Sequence, residues 1–263
     1  MTLPIRNIEC FVFDMDGTLY LGERVIPGAR ELLALLDDRG TQYCFFTNNS
    51  SKSPQDYKLK LKRLGFSSNS HIITSGDVAA SYLLKTYGPH PCAFVVGTPP
   101  LIEQLTAAGI DCQDTTRPDC VLVGFDTTYC FTKASRAVEL LRDGVPFLAT
   151  NIDAVCPLED NKVLPDCSSI CAMLTHATGV KPKYLGKPFA ETARFIQQIT
   201  NIPSEKTAVV GDRLYTDMQL ALENGMCALG VLSGEMTRED IEQSPLRPHY
   251  LFDSVMDIFR ILK

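Results

Sequence analysis

The chain has 263 residues, of which 45% are hydrophobic and 21% are charged. These shares are ordinary for a soluble globular protein and exclude an intrinsically disordered chain, which needs low hydrophobicity and a high net charge. The formal net charge of −6 argues against non-specific binding to a nucleic-acid backbone, which requires clustered Lys and Arg.

The N-terminal part of the chain alternates short apolar strands with helices. The apolar run from Ile8 to Phe13 predicts a buried strand. Amphipathic patterns predict helices over residues 29–38 and 52–64. Further short apolar runs predict strands over residues 42–46 and 72–73.

The middle of the chain, from about residue 76 to about residue 180, repeats this alternation and is expected to form a unit of its own. The strands are predicted over residues 93–96, 121–124 and 146–150, and the helices over residues 100–108, 133–143 and 168–178. No change of composition marks the ends of this unit.

The C-terminal part returns to the first pattern. Helices are predicted over residues 191–200 and 218–223, and strands over residues 207–210 and 228–232. Strands and helices that alternate at these lengths predict a mainly parallel sheet, and therefore an α/β fold.

The sequence also bears on location and redox chemistry. No apolar run approaches the roughly 18 residues that a membrane-spanning helix needs. The first residues lack a hydrophobic signal core, so a cytoplasmic protein is expected. The ten cysteines form no Cys-x-x-Cys pair and several lie inside apolar runs, which predicts buried thiols that pack as small hydrophobic groups.

Polar side chains follow three of the predicted strands. Asp14, Thr47 and Asp212 each come at or just after a strand end, and ligands of open parallel sheets bind at the carboxyl ends of the strands. Two more carboxylates, Asp16 and Asp217, lie close by in sequence. Clustered carboxylates repel one another unless a cation lies between them, and oxygen ligands favour Mg²⁺.

The Asp14-x-Asp16 pair can divide the work of a phosphoryl transfer. One carboxylate attacks and forms an acyl phosphate, and the other moves protons. Two alternatives use the same residues: an ordinary Asp-x-Asp-Gly turn, or a calcium-binding loop. The remaining Asp, Asn and Glu spacing of a calcium loop is missing.

Four segments, taken together and in order, resemble the four signatures of the haloacid dehalogenase superfamily. They are DMDGTL at 14–19, TNN at 47–49, GKP at 186–188 and GDRLYTD at 211–217. Four further features resemble subclass IIA, the NagD-like and 4-nitrophenylphosphatase-like phosphatases. They are the stretch from Tyr20 through IPGA at 26–29, the double asparagine at 48–49, the RLxTD form of the fourth signature at 213–217, and ATNID at 149–153.

This resemblance implies a Rossmann-like three-layer core with a parallel sheet and an inserted α/β cap domain of the C2a type. The core is expected over residues 1–76 and 181–263, and the cap over residues 77–180. A cap of this kind excludes bulk water and selects small substrates.

The resemblance also implies roles for two aspartates and a lysine. Asp14 corresponds to the nucleophile that takes the phosphoryl group. Asp16 corresponds to the acid that protonates the leaving oxygen and then activates water. Its proton-donating carboxyl implies phosphatase chemistry rather than dehalogenation. Lys187 corresponds to the residue that neutralises charge on the nucleophile and on the phosphoryl group.

Ligand binding is implied in the same way. Thr47, Asn48, Gly17 and Lys187 are expected to bind the phosphoryl group. A Mg²⁺ ion is expected at Asp14, at Asp16 through its backbone carbonyl, at Asp212 and at Asp217, where Asp217 binds a metal water or orients Lys187. Asn151 and Asp153 of the middle unit are assigned to substrate binding, with a loop-capping role as the alternative.

The expected function is hydrolysis of small phosphomonoesters, such as nucleotide or sugar phosphates or p-nitrophenyl phosphate, through an aspartyl-phosphate on Asp14. The expected partner is a small phosphorylated metabolite, with no nucleic acid and no membrane, and homo-oligomerisation is left open. The alternative is a receiver-like phospho-acceptor or binding module without turnover. A dinucleotide-binding oxidoreductase is disfavoured because no Gly-x-Gly-x-x-Gly follows the first strand.

Overall fold

The computed structural model of the chain describes residues 4–66, 70–113, 116–158 and 162–263. The chain divides into two compact units. The core unit comprises Met1–Thr47, Tyr57–Ile73 and Lys187–Lys263, and the inserted unit comprises Asn48–Asp56 and Thr74–Gly186. The expected boundaries after residues 76 and 180 therefore lie a few residues away from the structural ones, and the segment 48–56 joins the inserted unit.

The core unit is built on a six-stranded sheet. With elements numbered in chain order, its strands are β1 (Cys10–Phe13), β4 (Gln42–Thr47), β5 (Ile72–Thr74), β12 (Thr207–Gly211), β13 (Cys227–Val231) and β14 (Tyr250–Phe252). Their order is β14-β13-β12-β1-β4-β5. The pairs β1–β4, β1–β12, β12–β13 and β13–β14 are all parallel. A short antiparallel hairpin of β2 (Tyr20–Leu21) and β3 (Arg24–Val25) follows β1.

Helices accompany the core sheet. They are α1 (Ala29–Asp38), α2 (Pro54–Arg63), α7 (Ala190–Thr200), α8 (Gln219–Glu223), α9 (Arg238–Gln243) and α10 (Val255–Leu262). All four residues of β1 are buried, as expected for a central parallel strand that is covered on both faces. Phe11 and Phe13 of β1 are stacked, and Tyr43 lies edge-on to Phe13, so aromatic packing fixes this strand in the core.

The inserted unit has its own four-stranded sheet. Its strands are β6 (Ala93–Val96), β7 (Cys120–Val123), β8 (Phe147–Ala149) and β11 (Lys183–Tyr184), in the order β11-β8-β7-β6 and parallel throughout. Its helices are α3 (Ser75–Tyr87), α4 (Pro99–Ala107), α5 (Phe131–Arg142) and α6 (Cys167–Thr178). A second hairpin pairs β9 (Val155–Pro157) with β10 (Val163–Pro165).

The predicted α/β class and parallel sheets are confirmed, and the predicted elements lie within a few residues of the observed ones. The pattern of apolar and polar residues did not predict α3, α9, α10, β14 or the two hairpins. Helix α3 begins with Ser75-Gly76, a pair typical of a turn, but a capping box formed by Thr74 and Asp77 begins the helix there. Strand β11 was not predicted either.

Most cysteines pack as the sequence predicts. Six are buried: Cys10, Cys44, Cys120, Cys167, Cys171 and Cys227. Cys130 is exposed, and all ten are free thiols. Within the described residues, no helix has both the length and the apolar composition that a membrane crossing requires.

Gly28 offers a test of packing in the core unit. Its φ is +87°, and a Cβ at this position would lie 2.6 Å from the Cα of Met256 in α10. We expect Gly28→Ala to lower the free energy of unfolding by about 2–5 kcal/mol, because backbone strain and overpacking add. Gly40 has φ +64° with no atom near its added Cβ, so Gly40→Ala should cost only about 1–2 kcal/mol. Urea unfolding of both variants measures the difference, and equal losses would contradict the close approach.

Candidate active site

The order of the core sheet brings the predicted site residues to one edge. β1 lies between β12 and β4, so the carboxyl ends of these three strands are neighbours. Asp14 follows β1, Thr47 ends β4 and Asp212 follows β12. After β1 the chain continues to β4 on one side of that strand, and it later returns to form β12 on the other side of β1. This is a topological switch point, where open α/β sheets bind ligands.

Lys187 lies at the centre of this edge. Its Nζ donates hydrogen bonds to Asp14 Oδ1 at 2.5 Å, to Asp217 Oδ1 at 2.7 Å and to the backbone carbonyl of Phe46 at 3.4 Å. The residue is only 2% exposed. A buried ammonium is stable only when opposite charge and hydrogen-bond acceptors surround it, and both are present here.

The ionisation of this cluster is strongly coupled. Burial raises the pKa of Asp14 well above its ordinary value, Lys187 opposes this rise, and the charge of Asp217 adds to it. Burial by itself lowers the pKa of Lys187, but Asp14 and Asp217 outweigh it and the pKa is raised. Lys187 therefore stays protonated and supplies the positive charge that these carboxylates need.

Asp212 is enclosed by the backbone of two glycines. A Cβ on either Gly17 or Gly234 would collide with its carboxylate. Asp212 Oδ2 accepts a hydrogen bond from the backbone N–H of Glu235 at 2.8 Å, and Oδ1 accepts one from Thr18 Oγ1 at 3.3 Å. The carboxylate is therefore held in one orientation by chain segments that follow β1 and β13.

Asp217 is positioned in a similar way. Its Oδ2 accepts a hydrogen bond from the backbone N–H of Arg213 at 3.2 Å, while Oδ1 receives Lys187. A Cβ on Gly211 would collide with it. These contacts support the second of its two predicted roles, which is to orient Lys187.

Three of the four predicted metal ligands come together. Asp14, Asp212 and Asp217 each offer a carboxylate oxygen, and these oxygens lie within 4.8 Å of one another. Lys187 offsets only one of the three negative charges. Hard oxygen donors with excess negative charge suit a divalent cation, so the residues present fit such an ion.

The Asp16 side chain lies outside that carboxylate group. Its side chain is 57% exposed, and Oδ1 lies 3.6 Å from Lys60 Nζ. Oδ2 accepts a hydrogen bond from the Tyr20 hydroxyl at 3.4 Å. The resemblance assigned the metal contact of Asp16 to its backbone carbonyl, which leaves this carboxylate available for proton transfer.

Besides Lys187, two predicted phosphate-binding residues lie in the core unit. Thr47 is buried at the end of β4, two residues beyond Phe45, the neighbour of Phe13 in the sheet. Gly17 has φ +85° and lies against Asp212. Its backbone conformation and this close contact leave no room for a side chain at position 17.

The other predicted binding residues form a buried network in the inserted unit. Asn48 Nδ2 donates to Asp153 Oδ2 at 3.0 Å, and Asn151 Nδ2 donates to the Asn48 carbonyl at 2.9 Å. Asn151 Oδ1 accepts the backbone N–H of Asp153 at 2.9 Å. The structure thus brings Asn48, Asn151 and Asp153 together, with contacts that fix the loop after β8.

Sequence reasoning missed the loop after β13. Besides the contacts of Gly234 and Glu235 with Asp212, Ser233 Oγ donates to the Gly17 carbonyl at 2.7 Å. Glu235 also pairs with Arg213 at 2.8 Å. A signal was present, because Ser233-Gly234 is a small polar pair just after a strand that neighbours β12.

Comparisons with known proteins identify the family of this chain. Models of two families match the chain: haloacid dehalogenase-like hydrolase over residues 11–111, and HAD-hydrolase-like over residues 184–258. Dihydroxyacetone phosphatase of Corynebacterium glutamicum (strain R) is 33% identical over 248 residues, which cover 94% of this chain and 90% of that protein.

Solved structures show the same fold. The chain is similar to 4-nitrophenylphosphatase of Thermotoga maritima, with a TM-score of 0.94, 37% identity, and 98% and 99% of the two chains covered. It is also similar to glycerol phosphate phosphatase of Mycobacterium tuberculosis in complex with magnesium, with a TM-score of 0.88 and 29% identity over 100% of this chain and 78% of that one.

The fold and these matches define a hydrolase, and its core sheet carries a cluster of aspartates at one edge. The chain belongs to the haloacid dehalogenase-like hydrolases, in their NagD-like and 4-nitrophenylphosphatase-like branch. It is a phosphoric monoester hydrolase.

Gly234 provides a test of the Asp212 enclosure. We expect Gly234→Ala to lower phosphatase activity by about 10–100-fold, because the added methyl displaces the carboxylate of Asp212, a predicted metal ligand. Gly225 has open space around an added Cβ, so Gly225→Ala is the matched control and should keep its activity. A Gly234→Ala enzyme as active as the control would show that Asp212 tolerates displacement.

Asp212 also predicts a dependence of stability on pH. Burial, aided by Asp217, raises its pKa to about 6. Because an unfolded aspartate titrates near pH 4, the folded chain binds more protons between about pH 4 and about pH 6, and its stability falls as the pH rises through this window. The Asp212→Asn variant lacks this titrating group, so its stability does not fall in this way. The difference in free energy of unfolding between the variant and wild type should therefore rise by up to about 3 kcal/mol across the window and then level off.

Urea unfolding of both proteins in the presence of a chelator, at pH values from 4 to 8, measures this difference. A difference that stays constant over the whole range would contradict the raised pKa of Asp212.

Proposed function

We propose that this chain is a Mg²⁺-dependent phosphatase that hydrolyses small phosphomonoesters through an aspartyl-phosphate on Asp14. The observation that carries the proposal is the buried Lys187 ammonium, which bridges Asp14 and Asp217 at the carboxyl end of β1. An anionic nucleophile can approach an anionic phosphate only where fixed positive charge offsets the repulsion.

The reaction uses two steps. In the first step, an Asp14 carboxylate oxygen bonds to phosphorus while the bond from phosphorus to the leaving oxygen breaks, and Asp16 gives its proton to that oxygen. In the second step, water gives a proton to Asp16 while its oxygen bonds to phosphorus, and the bond from phosphorus to the Asp14 oxygen breaks. Inorganic phosphate leaves, and both aspartates return to their initial states.

The metal site would be formed by Asp14, the backbone carbonyl of Asp16, and Asp212, with Asp217 beside them. Bound there, Mg²⁺ would neutralise charge on the phosphoryl oxygens and on the nucleophile. The carboxylate cluster supports this proposal, and so does the magnesium complex of the related glycerol phosphate phosphatase.

Phosphoryl binding is assigned to Thr47, Gly17, Lys187 and Asn48. The Asn48 side chain donates to Asp153, and its carbonyl accepts from Ser75 Oγ at 2.6 Å. Asn151 and Asp153 stay predictions as substrate-binding residues, and their contacts support an indirect contribution through Asn48.

The substrate class follows from the relatives. Dihydroxyacetone phosphatase, acid sugar phosphatase and glycerol phosphate phosphatase are named for short phosphorylated polyols and sugars. We place this chain's substrates in the same class, with nucleotides as the next class to test.

Phosphate release from a panel of small phosphomonoesters, with Mg²⁺ and with a chelator, tests the function. We expect release with Mg²⁺ and none with the chelator. Asp14→Asn should lower turnover by at least about 10³-fold while the fold persists, because shape is kept and the nucleophile is lost. Asp38→Asn, an exposed change in α1, is the matched control and should turn over like wild type.

Two results would contradict the proposal. Asp14→Asn with full activity would exclude the aspartyl-phosphate route. A folded, Mg²⁺-loaded wild type that releases no phosphate from any member of the panel would favour the phospho-acceptor alternative.

A further inference from the structure

Helix α2 has an unusual distribution of side chains. Its buried residues are Tyr57 and Leu61, while Leu59 is 57% exposed. The Lys60 side chain, in contrast, is only 19% exposed. Exchanging these two residue types would bury more apolar surface, so stability alone does not explain a lysine on the inner side. The position of Lys60 indicates that its ammonium group has a role in the contacts that it makes on the inner side of the helix.

Lys60 Nζ lies 4.0 Å from the centre of the Tyr20 ring and 3.6 Å from Asp16 Oδ1. Tyr20 is fully buried, and its backbone carbonyl accepts the N–H of Gly17 at 2.8 Å. The ring is therefore a fixed support for the ammonium, and a cation over an aromatic face is attracted to it. The lysine is held in place next to the carboxylate of Asp16.

The Asp16 carboxylate is 57% exposed and would be free to rotate if only water surrounded it. Lys60 contacts its Oδ1, and the Tyr20 hydroxyl donates to its Oδ2 at 3.4 Å. Two partners on two different oxygens fix the plane of the carboxyl group. Catalytic groups must be held close to their productive geometry, because small misplacements cost large factors in rate.

We infer that Lys60 is a positioning residue that, together with Tyr20, orients Asp16 for proton transfer to the leaving oxygen. This inference rests on the proposed function, because Asp16 is the proton donor only in that reaction. It adds a residue outside the four signature segments. A misplaced Asp16 would affect both steps of that reaction, and kcat/KM reports the step in which the leaving group departs.

Two substrates whose leaving groups differ in how much they need protonation provide the test. Nitrophenolate leaves readily as an anion, because its nitro group spreads the charge, whereas phenolate gains more from protonation. Phenyl phosphate and p-nitrophenyl phosphate are otherwise alike in shape. A displaced Asp16 therefore lowers kcat/KM for phenyl phosphate more than for p-nitrophenyl phosphate, since this parameter includes the step that expels the leaving group.

We expect Lys60→Met to lower the ratio of kcat/KM for phenyl phosphate to that for p-nitrophenyl phosphate by about tenfold, a part of the roughly 10²–10⁴-fold that acid–base catalysis supplies. Tyr20→Phe should lower the ratio less, because the ring stays and only the hydroxyl is lost. Lys60→Arg keeps the charge and should restore most of the ratio. Lys62→Met, an exposed change on the same helix, should leave the ratio at the wild-type value.

The outcomes separate this inference from the proposed function. If Lys60→Met lowers kcat/KM equally for both substrates, or changes neither, the positioning role is wrong while the phosphatase proposal stands. If Asp16→Asn also leaves the ratio unchanged, Asp16 is not the acid and both are overturned. Circular dichroism and the thermal midpoint of each variant check that the fold is kept.

Discussion

The arrangement of the active site depends on one buried cation. Lys187 Nζ lies between Asp14 and Asp217 at 2.5 and 2.7 Å, and the residue is nearly inaccessible to solvent. Without this charge, three carboxylates would face one another in a medium of low dielectric constant, and Asp14 would be driven towards its protonated form. In the proposed reaction, the same charge also offsets the repulsion between Asp14 and an anionic substrate. Under that proposal, stability and catalysis share one interaction.

Glycines decide how closely the acidic side chains can be enclosed. Gly17 and Gly234 enclose the Asp212 carboxylate, and Gly211 lies against Asp217. In each case a Cβ would take the space of a carboxylate, so backbone rather than side chain forms the wall. Walls of this kind cannot rotate away, and they hold the carboxylate oxygens without having to order a side chain of their own.

Much of this arrangement could be predicted from the sequence, for a definable reason. Apolar runs that end in Asp14, Thr47 and Asp212 report both the strand and the edge at which a parallel sheet binds ligands. The prediction failed where a contact depends on segments that are distant in the chain. The loop that holds Asp212 and the lysine that lies beside Asp16 carry no periodicity of their own, and only the folded sheet shows what they touch. The role of Asn48 is similar, because its partners Asn151 and Asp153 lie about a hundred residues away.

Substitution of Lys187 itself would be hard to interpret, so substitutions at other positions of the site test the mechanism better. Its ion pair with Asp14 joins residues 173 positions apart, across the whole inserted unit in sequence. Removing the lysine would leave buried carboxylates unpaired, so a loss of activity would not distinguish a lost electrostatic effect from a loosened fold. A change at Lys60 alters the chemistry and leaves the ion pair of Lys187 with Asp14 in place. Asp14→Asn removes the negative charge of that pair, but it keeps the shape of the side chain and leaves the ion pair of Lys187 with Asp217.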